Sequence, residues 1–323
     1  FGLGILLSSF LKEGGSIYYF YMTFGVIGGF GNNNDDLLCA GNKEDIQSYV
    51  EQIVKEAGTI ILEAGENLGV EEKSSQHDLV TMYDKKVQEY LFNQLSREFP
   101  HASFLGEEGL ESKGDGNGLF IIDPIDGTTN FVKGFRISVI SVGYAEAGTM
   151  KYGVIYNPFS GELFSAEKGC GAFLNGKPIH VNEDAMEHAV ICFGAAPYDP
   201  EKWDYTFSTA RKVMEKCVDV RRLGSAAYDL VSVACGRAGA FFECKLRPWD
   251  YAAGLLIVEE AGGTVSDLDG KKITEIDRPS SMLAGNPKCY PEMLKIVKGL
   301  NKESTISVEG TVRLRESRNL KQA

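Results

Sequence analysis

Acidic and turn-forming residues are concentrated in residues 123–130, Asp-Pro-Ile-Asp-Gly-Thr-Thr-Asn, which follow the apolar run Leu119–Ile122. Asp123 and Asp126 lie at the end of a predicted buried strand, and Pro124 between them fixes its own φ and favours a turn. Gly127 lets the backbone approach a ligand, and the next residues can begin a helix whose free N–H groups favour phosphate. Carboxylates for a hard cation beside amides for an anion are typical of metal-assisted phosphoryl chemistry. Asp-Pro and Asp-Gly are also common in ordinary turns, so both interpretations stay open here.

Two further motifs add acids that the same site could use. Residues 106–109, Gly-Glu-Glu-Gly, place adjacent acids in a glycine-flanked loop, although a solvated turn has the same pattern. Asp250 begins a helix rich in small apolar residues, where it can cap the helix, bind a cation or do both. Upstream of these motifs, residues 78–84 begin and end with an aspartate, the second of which is Asp84, and Lys73 lies five residues before this segment.

The chain carries, in this order, the Gly-Glu-Glu loop, the Asp-Pro-Ile-Asp-Gly-Thr-Thr-Asn run and a helix start that reads Trp-Asp-Tyr-Ala-Ala-Gly at residues 249–254. With these three motifs, residues 43–300 resemble the inositol monophosphatase family of magnesium-dependent, lithium-sensitive phosphatases. The resemblance implies an α/β fold arranged as an αβαβα sandwich, two or three bound Mg²⁺ ions and a homodimer. It also implies hydrolysis of a small phosphate monoester by in-line attack of a metal-activated water, with inositol monophosphate as the expected substrate.

The resemblance also implies roles for individual residues of this sequence. The implied metal ligands are Glu107, Glu108, Asp123, the carbonyl group of Ile125, Asp126 and Asp250. The residues implied to act on the attacking water are Asp84, Glu107 and Thr128. The implied substrate contacts are Lys73, Asp126, Gly127, Thr128, Ala226, Glu243 and Asp250.

Two segments bear on the choice of substrate. Residues 128–131, Thr-Thr-Asn-Phe, resemble the inositol monophosphatase branch rather than relatives that act on 3′-phosphoadenosine nucleotides or fructose bisphosphate. Arg247, in a segment that looks bacterial, favours a second anionic group on the substrate. Histidinol phosphate, fructose 1,6-bisphosphate and 3′-phosphoadenosine 5′-phosphate therefore stay open. A regulatory RNA- or protein-interaction protein that retains the fold is the alternative of another class, but the intact acidic set favours an enzyme.

The charge balance favours a cation site over a surface for nucleic acid or lipid. The 323 residues include 33 Lys and Arg against 45 Asp and Glu, a formal net charge of −12 with neutral histidines. The charges of residues 1–42 and 301–323 cancel, so the whole surplus belongs to residues 43–300. We therefore expect no DNA partner and no membrane partner. The seven cysteines lack close pairs, which predicts reduced thiols and a cytoplasmic protein.

Hydrophobic periodicity divides the chain into four parts. Residues 1–42 are predicted to be a weakly ordered apolar and glycine-rich extension, and residues 301–323 a flexible tail. Residues 43–182 are predicted to be an α+β part that contains the metal and phosphate site, and residues 183–300 an α/β part that completes it. The pattern predicts an antiparallel meander over Ile137–Leu174, and helices from Asn42 and over Met82–Phe99, Trp203–Cys217, Gly224–Ala238, Asp250–Gly262 and Pro291–Leu300.

Overall fold

The computed structural model describes residues 44–65, 68–73 and 79–299, so the predictions for residues 1–42 and 301–323 lie outside the described residues. The chain divides into two compact units after Gln47, and the elements below belong to the second unit, apart from the start of the first helix. Among the described residues, every helix falls short of the length and apolar character that a bilayer span requires.

The two N-terminal helices, α1 (Glu44–Leu62) and α2 (Met82–Glu98), lie close to their predicted positions. Helix α2 begins with a capping box, in which the Asp84 N–H donates to Thr81 Oγ1 and the Thr81 N–H donates to Asp84 Oδ2. This cap fixes the carboxylate of Asp84 at the start of the helix. Two short antiparallel strands precede α2, namely β1 (Glu71–Glu72) and β2 (Leu79–Val80).

The middle of the chain forms an eight-stranded sheet. Its strands are β3 (Ser103–Gly106), β4 (Glu111–Ser112), β5 (Gly118–Asp126), β6 (Val139–Glu146), β7 (Thr149–Asn157), β8 (Glu162–Glu167), β9 (Gly171–Leu174) and β10 (Lys177–Ile179). The strand order is β10-β9-β8-β7-β6-β5-β3-β4, and only β3 and β5 pair in parallel. Strands β6 to β9 form the predicted antiparallel meander. A short helix, α3 (Thr128–Lys133), follows β5 directly.

The C-terminal elements form a five-stranded mixed sheet and four helices. The strands are β11 (Val190–Phe193), β12 (Asp219–Arg221), β13 (Ala240–Leu246), β14 (Thr264–Ser266) and β15 (Ser280–Gly285). They lie in the order β12-β11-β13-β15-β14, with β11 parallel to both of its neighbours. The helices are α4 (Trp203–Met214), α5 (Ala226–Ala234), α6 (Pro248–Glu260) and α7 (289–299).

Helices α5 and α6 lie between the two sheets and contact both of them. Helix α6 is apolar on all sides, and Tyr251 and Leu256 are fully buried. The helix packs closely on β7, because a Cβ placed on Gly153 would lie 2.7 Å from the Ala253 carbonyl oxygen. Helix α2 packs on β5 of the first sheet, and α4 and α7 share an apolar cluster with β11 and β13 of the second sheet. These layers confirm the predicted αβαβα sandwich.

The cysteines and several helix boundaries differ from the sequence predictions. Cys170 is disulfide-bonded, so the prediction of reduced thiols is wrong for that residue, because spacing along the chain does not reveal which cysteines the fold brings together. Helix α5 is shorter than predicted at both ends, because Ser225 is its N-cap and it ends at Ala234, before Gly236 with a φ of 77°. Helix α4 ends at Met214, and α6 begins two residues before Asp250. The free cysteines among the described residues are Cys192, Cys217, Cys235, Cys244 and Cys289.

Candidate active site

The end of β5 delivers two carboxylates to one place. In a regular strand, side chains three positions apart point to opposite faces, but the pairing of β5 with β6 is irregular between Asp123 and Asp126. Asp123 is buried, and its Oδ1 accepts a hydrogen bond of 3.0 Å from the Ile125 N–H. The bend that the sequence pattern indicated at Pro124 is therefore a local break in the strand ladder.

Gly127 connects β5 to α3 in a conformation that favours glycine. Its φ is 90°, and a Cβ there would lie 2.9 Å from the Ile137 carbonyl oxygen and 3.1 Å from that of Gly224. A larger residue would both strain the backbone and separate the two halves of the cavity wall. The close approach seen at Gly127 is between main-chain segments of the fold itself, and its approach to a ligand stays a prediction.

The remaining contacts of the acidic residues come from the helices between the sheets. Asp126 Oδ2 accepts hydrogen bonds from Ser225 Oγ at 2.6 Å and from the Ala227 N–H at 2.7 Å, at the start of α5. Asp250 lies in the first turn of α6, and its Oδ2 accepts a 2.6 Å hydrogen bond from the Arg247 N–H. Asp250 therefore caps its helix and also faces the acids of β5, so both roles proposed for it are compatible.

Asp123, Asp126 and Asp250 form a cluster whose ligand oxygens all lie within 4.8 Å of one another. Burial raises the pKa of Asp123 and of Asp250 well above the ordinary aspartate value, and the neighbouring carboxylates, Glu107 among them, raise both further. Three carboxylates this close repel one another unless a cation lies between them. Their oxygens are the ligands that hard divalent cations prefer, so the donor set fits Mg²⁺.

Glu107 and Glu108 lie in the loop between β3 and β4 and share one cationic partner, Lys73. Lys73 Nζ lies 3.0 Å from Glu107 Oε1 and 2.5 Å from Glu108 Oε1. Burial raises the pKa of Glu107, and the charge of Lys73 opposes that shift. Glu107 lines the same cavity as the aspartate cluster, whereas the Glu108 main chain hydrogen-bonds the side chain of Gln88. The structure therefore places Glu107 at the cluster and Glu108 beside it.

The expected water-orienting pair is in hydrogen-bond contact. Thr128 Oγ1 lies 3.0 Å from Asp84 Oδ1 and 3.1 Å from the Ile125 carbonyl oxygen, so its one proton has two possible acceptors. The other oxygen of Asp84 accepts hydrogen bonds from the Thr81 main chain and hydroxyl group. The helix cap thus locks Asp84, which in turn holds the hydroxyl group of Thr128 at the edge of the cluster.

One cavity of about 880 Å³ joins the aspartate cluster to the expected substrate contacts. Glu243 lies in its wall with 6% of its surface exposed, and burial raises its pKa to about 7. Its Oε1 accepts a 2.9 Å hydrogen bond from the Ala196 N–H. The cavity lining contains all seven expected substrate contacts: Lys73, Asp126, Gly127, Thr128, Ala226, Glu243 and Asp250.

The structure adds site residues that sequence analysis missed. Ser225 supports Asp126, and its position before a helix was a recognisable N-cap signal. Asp229 lines the cavity in buried surroundings, and its Oδ1 has no hydrogen-bond partner among the described residues. The segment 194–199 also lines the cavity, but its sequence, Gly-Ala-Ala-Pro-Tyr-Asp, carried no signal beyond a turn.

Known proteins resemble the chain over most of its length. Residues 42–303 match the model of the inositol monophosphatase family. The chain is 38% identical over 229 residues to a fructose-1,6-bisphosphatase/inositol-1-monophosphatase of Thermotoga maritima, which covers 71% of this chain and 86% of that protein. It is 36% identical over 244 residues to Nus factor SuhB of Escherichia coli, 74% of this chain and 91% of that protein. The structure of the extragenic suppressor protein suhB from Bartonella henselae superposes with a TM-score of 0.74 at 36% identity, covering 78% of this chain and 97% of that chain.

Proposed function

Since the chain belongs to the inositol monophosphatase family of metal-dependent phosphatases, we propose that it hydrolyses inositol monophosphate to inositol and phosphate. The observation that carries this proposal is that the aspartate cluster and Glu243 line the same cavity. A phosphate group would be repelled by the bare acids but attracted once cations are bound. Glu243 could then accept hydrogen bonds from the hydroxyl groups of the alcohol half.

The ligands we propose for two or three Mg²⁺ ions are Glu107, Glu108, Asp123, the Ile125 carbonyl group, Asp126 and Asp250. Bound Mg²⁺ supplies positive charge that lowers the pKa of a water molecule and neutralises the departing alkoxide. Thr128, held by Asp84, is proposed to orient the attacking water through its hydroxyl oxygen. Gly127 allows the main chain to approach the phosphate, and Ala226 leaves room for the ring beside Glu243.

A substrate panel tests this proposal. Purified protein with millimolar Mg²⁺ is incubated with inositol 1-phosphate, histidinol phosphate, fructose 1,6-bisphosphate and 3′-phosphoadenosine 5′-phosphate, and phosphate release is measured. We expect the highest kcat/KM for inositol 1-phosphate and no release when a chelator replaces Mg²⁺. Release from none of these esters would overturn the phosphatase assignment, and a higher kcat/KM for another ester would overturn the substrate.

Fructose 1,6-bisphosphate is the second candidate because basic residues also line the cavity. Lys133, Arg222 and Arg247 are exposed there, where a second phosphate group could bind. The Thermotoga relative carries both phosphatase names. An Arg247→Gln variant should raise KM for the bisphosphate and leave KM for inositol 1-phosphate unchanged if this candidate is correct.

The regulatory alternative is supported by one relative's name, Nus factor SuhB, whereas the intact acidic set supports an enzyme. The phosphate-release assay separates these alternatives, because an enzyme releases phosphate, whereas a binding protein that only retains the fold is not expected to do so. The homodimer, the inhibition by lithium and the cytoplasmic location stay predictions, as do the two-part division at residue 182 and the absence of DNA and membrane partners.

A further inference from the structure

The segment 194–199, here called the strap, connects β11 to the turn before α4 and forms part of the cavity wall. Strand β13 contacts the strap through two side chains, Glu243 and Lys245. Both residues lie where the pairing of β13 with β15 is irregular, and both side chains reach the strap. The strap is therefore attached to the strand that carries the proposed hydroxyl acceptor.

The first attachment is made by Glu243. Its Oε1 accepts the Ala196 N–H, and its carboxylate lies against Gly194, where a Cβ would be 1.9 Å from Oε2. Ala196 has a φ of 40°, which is unfavourable for any residue other than glycine. The strap must therefore be held in this conformation by its surroundings, and the hydrogen bond to Glu243 depends on that conformation.

The second attachment is an ion pair between Asp199 and Lys245. The Lys245 Nζ and Asp199 Oδ2 atoms are 2.8 Å apart, and the side chains are 38% and 21% exposed, respectively. The Asp199 N–H also donates a 2.9 Å hydrogen bond to the Ala196 carbonyl oxygen, which closes a turn around the strained residue. The ion pair therefore acts on the same turn that presents the Ala196 N–H to Glu243.

We propose that Asp199 and Lys245 are positioning residues that hold the strap so that Glu243 keeps one orientation toward the alcohol half of the substrate. The proposal rests on the proposed phosphatase function and on Glu243 as the acceptor of substrate hydroxyl groups. Esters without hydroxyl groups gain nothing from the strap.

Steady-state kinetics of the Mg²⁺-loaded protein test the positioning role. Asp199→Asn and Lys245→Gln should each raise KM for inositol 1-phosphate about fivefold, the loss expected from one partly exposed ion pair. The kcat for that substrate and both constants for p-nitrophenyl phosphate, which has no hydroxyl group, should stay unchanged. The charge-swapped double variant, Asp199→Lys with Lys245→Asp, should recover most of the KM. Lys168→Gln, which removes an exposed ion pair with Glu259, is the matched control.

Amide hydrogen exchange of residues 194–199 provides a readout that does not need turnover. Exchange there should be faster in Asp199→Asn and Lys245→Gln than in the wild type and Lys168→Gln. Unchanged exchange in both variants would overturn the attachment, whatever the kinetics. Faster exchange with equal effects on both substrates would overturn the positioning role. If the wild type released no phosphate from any ester, the proposed function and the positioning role built on it would both fail, while the exchange result would still decide the attachment.

Discussion

Replacing Glu243 with Gln should stabilise the metal-free protein in a pH-dependent manner. The carboxylate is 6% exposed, and burial raises its pKa from 4.5 to about 7, with Asp126 adding to the shift. The Ala196 N–H is its one hydrogen-bond donor among the described residues, and a Gln side-chain carbonyl can accept that hydrogen bond equally well. The substitution therefore removes a buried negative charge and keeps the shape of the side chain and its hydrogen bond.

The sign and size of the effect follow from linkage. Below pH 4.5 the group is protonated in both the folded and the unfolded state, so it contributes no difference. Above pH 7 it is ionised in both states, and because its pKa rises from 4.5 to about 7 on folding, the folded protein bears a penalty of about 3 kcal/mol. The free energy of unfolding of Glu243→Gln should therefore exceed that of the wild type by about 1 kcal/mol at pH 5 and about 3 kcal/mol at pH 8.

Urea unfolding at pH 5 and pH 8, in the presence of a chelator, measures this difference. Glu292→Gln is the control, because it makes the same substitution at an exposed acid on α7. A difference between Glu243→Gln and the wild type that stays constant from pH 5 to pH 8 would contradict the reasoning. In that case the Glu243 carboxylate would be solvated rather than buried in the cavity wall.

Three further changes have expected outcomes. Asp126→Asn should lower kcat at least about 100-fold, which corresponds to about 2.7 kcal/mol of activation free energy. It should not lower the urea midpoint of the chelated protein, because it removes one of three crowded charges. A near-wild-type kcat would exclude Asp126 from the site. Gly127→Ala should lower the free energy of unfolding by about 3 kcal/mol. The control Gly148→Ala, at φ 77° with no atom within 4 Å of its Cβ, should lower it by about 1 kcal/mol. Equal losses would show that the contact with the Ile137 carbonyl group is unimportant. Chelation should lower the Tm and added Mg²⁺ should restore it, while NaCl at equal ionic strength should not; a Tm insensitive to chelation would contradict a cation at the aspartate cluster.

Sequence analysis predicted the helices and the meander because their signals are local. The helical period of α2 is visible in consecutive residues, and so is the alternation of β6 to β8. The acids of the cluster were identified because each occurs in a short motif beside turn-forming or helix-starting residues. Their mutual distance was not predictable from spacing, since Asp250 is separated from Asp126 by 124 positions and meets it only through the packing of α6 on the first sheet.

The features that were missed depend on contacts between distant segments. The strap has no motif, and its role follows from the Ala196 N–H and the ion pair with Lys245, which lies 46 positions after Asp199. Support of Asp126 by Ser225 likewise joins the end of β5 to the start of α5. The disulfide at Cys170 was missed because the seven cysteines show no close pair in the sequence.

The aspartate cluster has a consequence for the mechanics of the whole sandwich. Asp123 and Asp126 belong to the first sheet, whereas Asp250 is carried by a helix that follows directly from the second sheet. A cation held by all three acts as a further cross-link between layers that are also joined by apolar packing and by hydrogen bonds such as that from Ser225 to Asp126. Sub-global opening of the layers therefore competes with cation binding, and the apparent Kd increases as the closed fraction falls. A cavity-creating substitution in the buried face of α6 that leaves half the molecules open would weaken cation binding about twofold without altering any ligand.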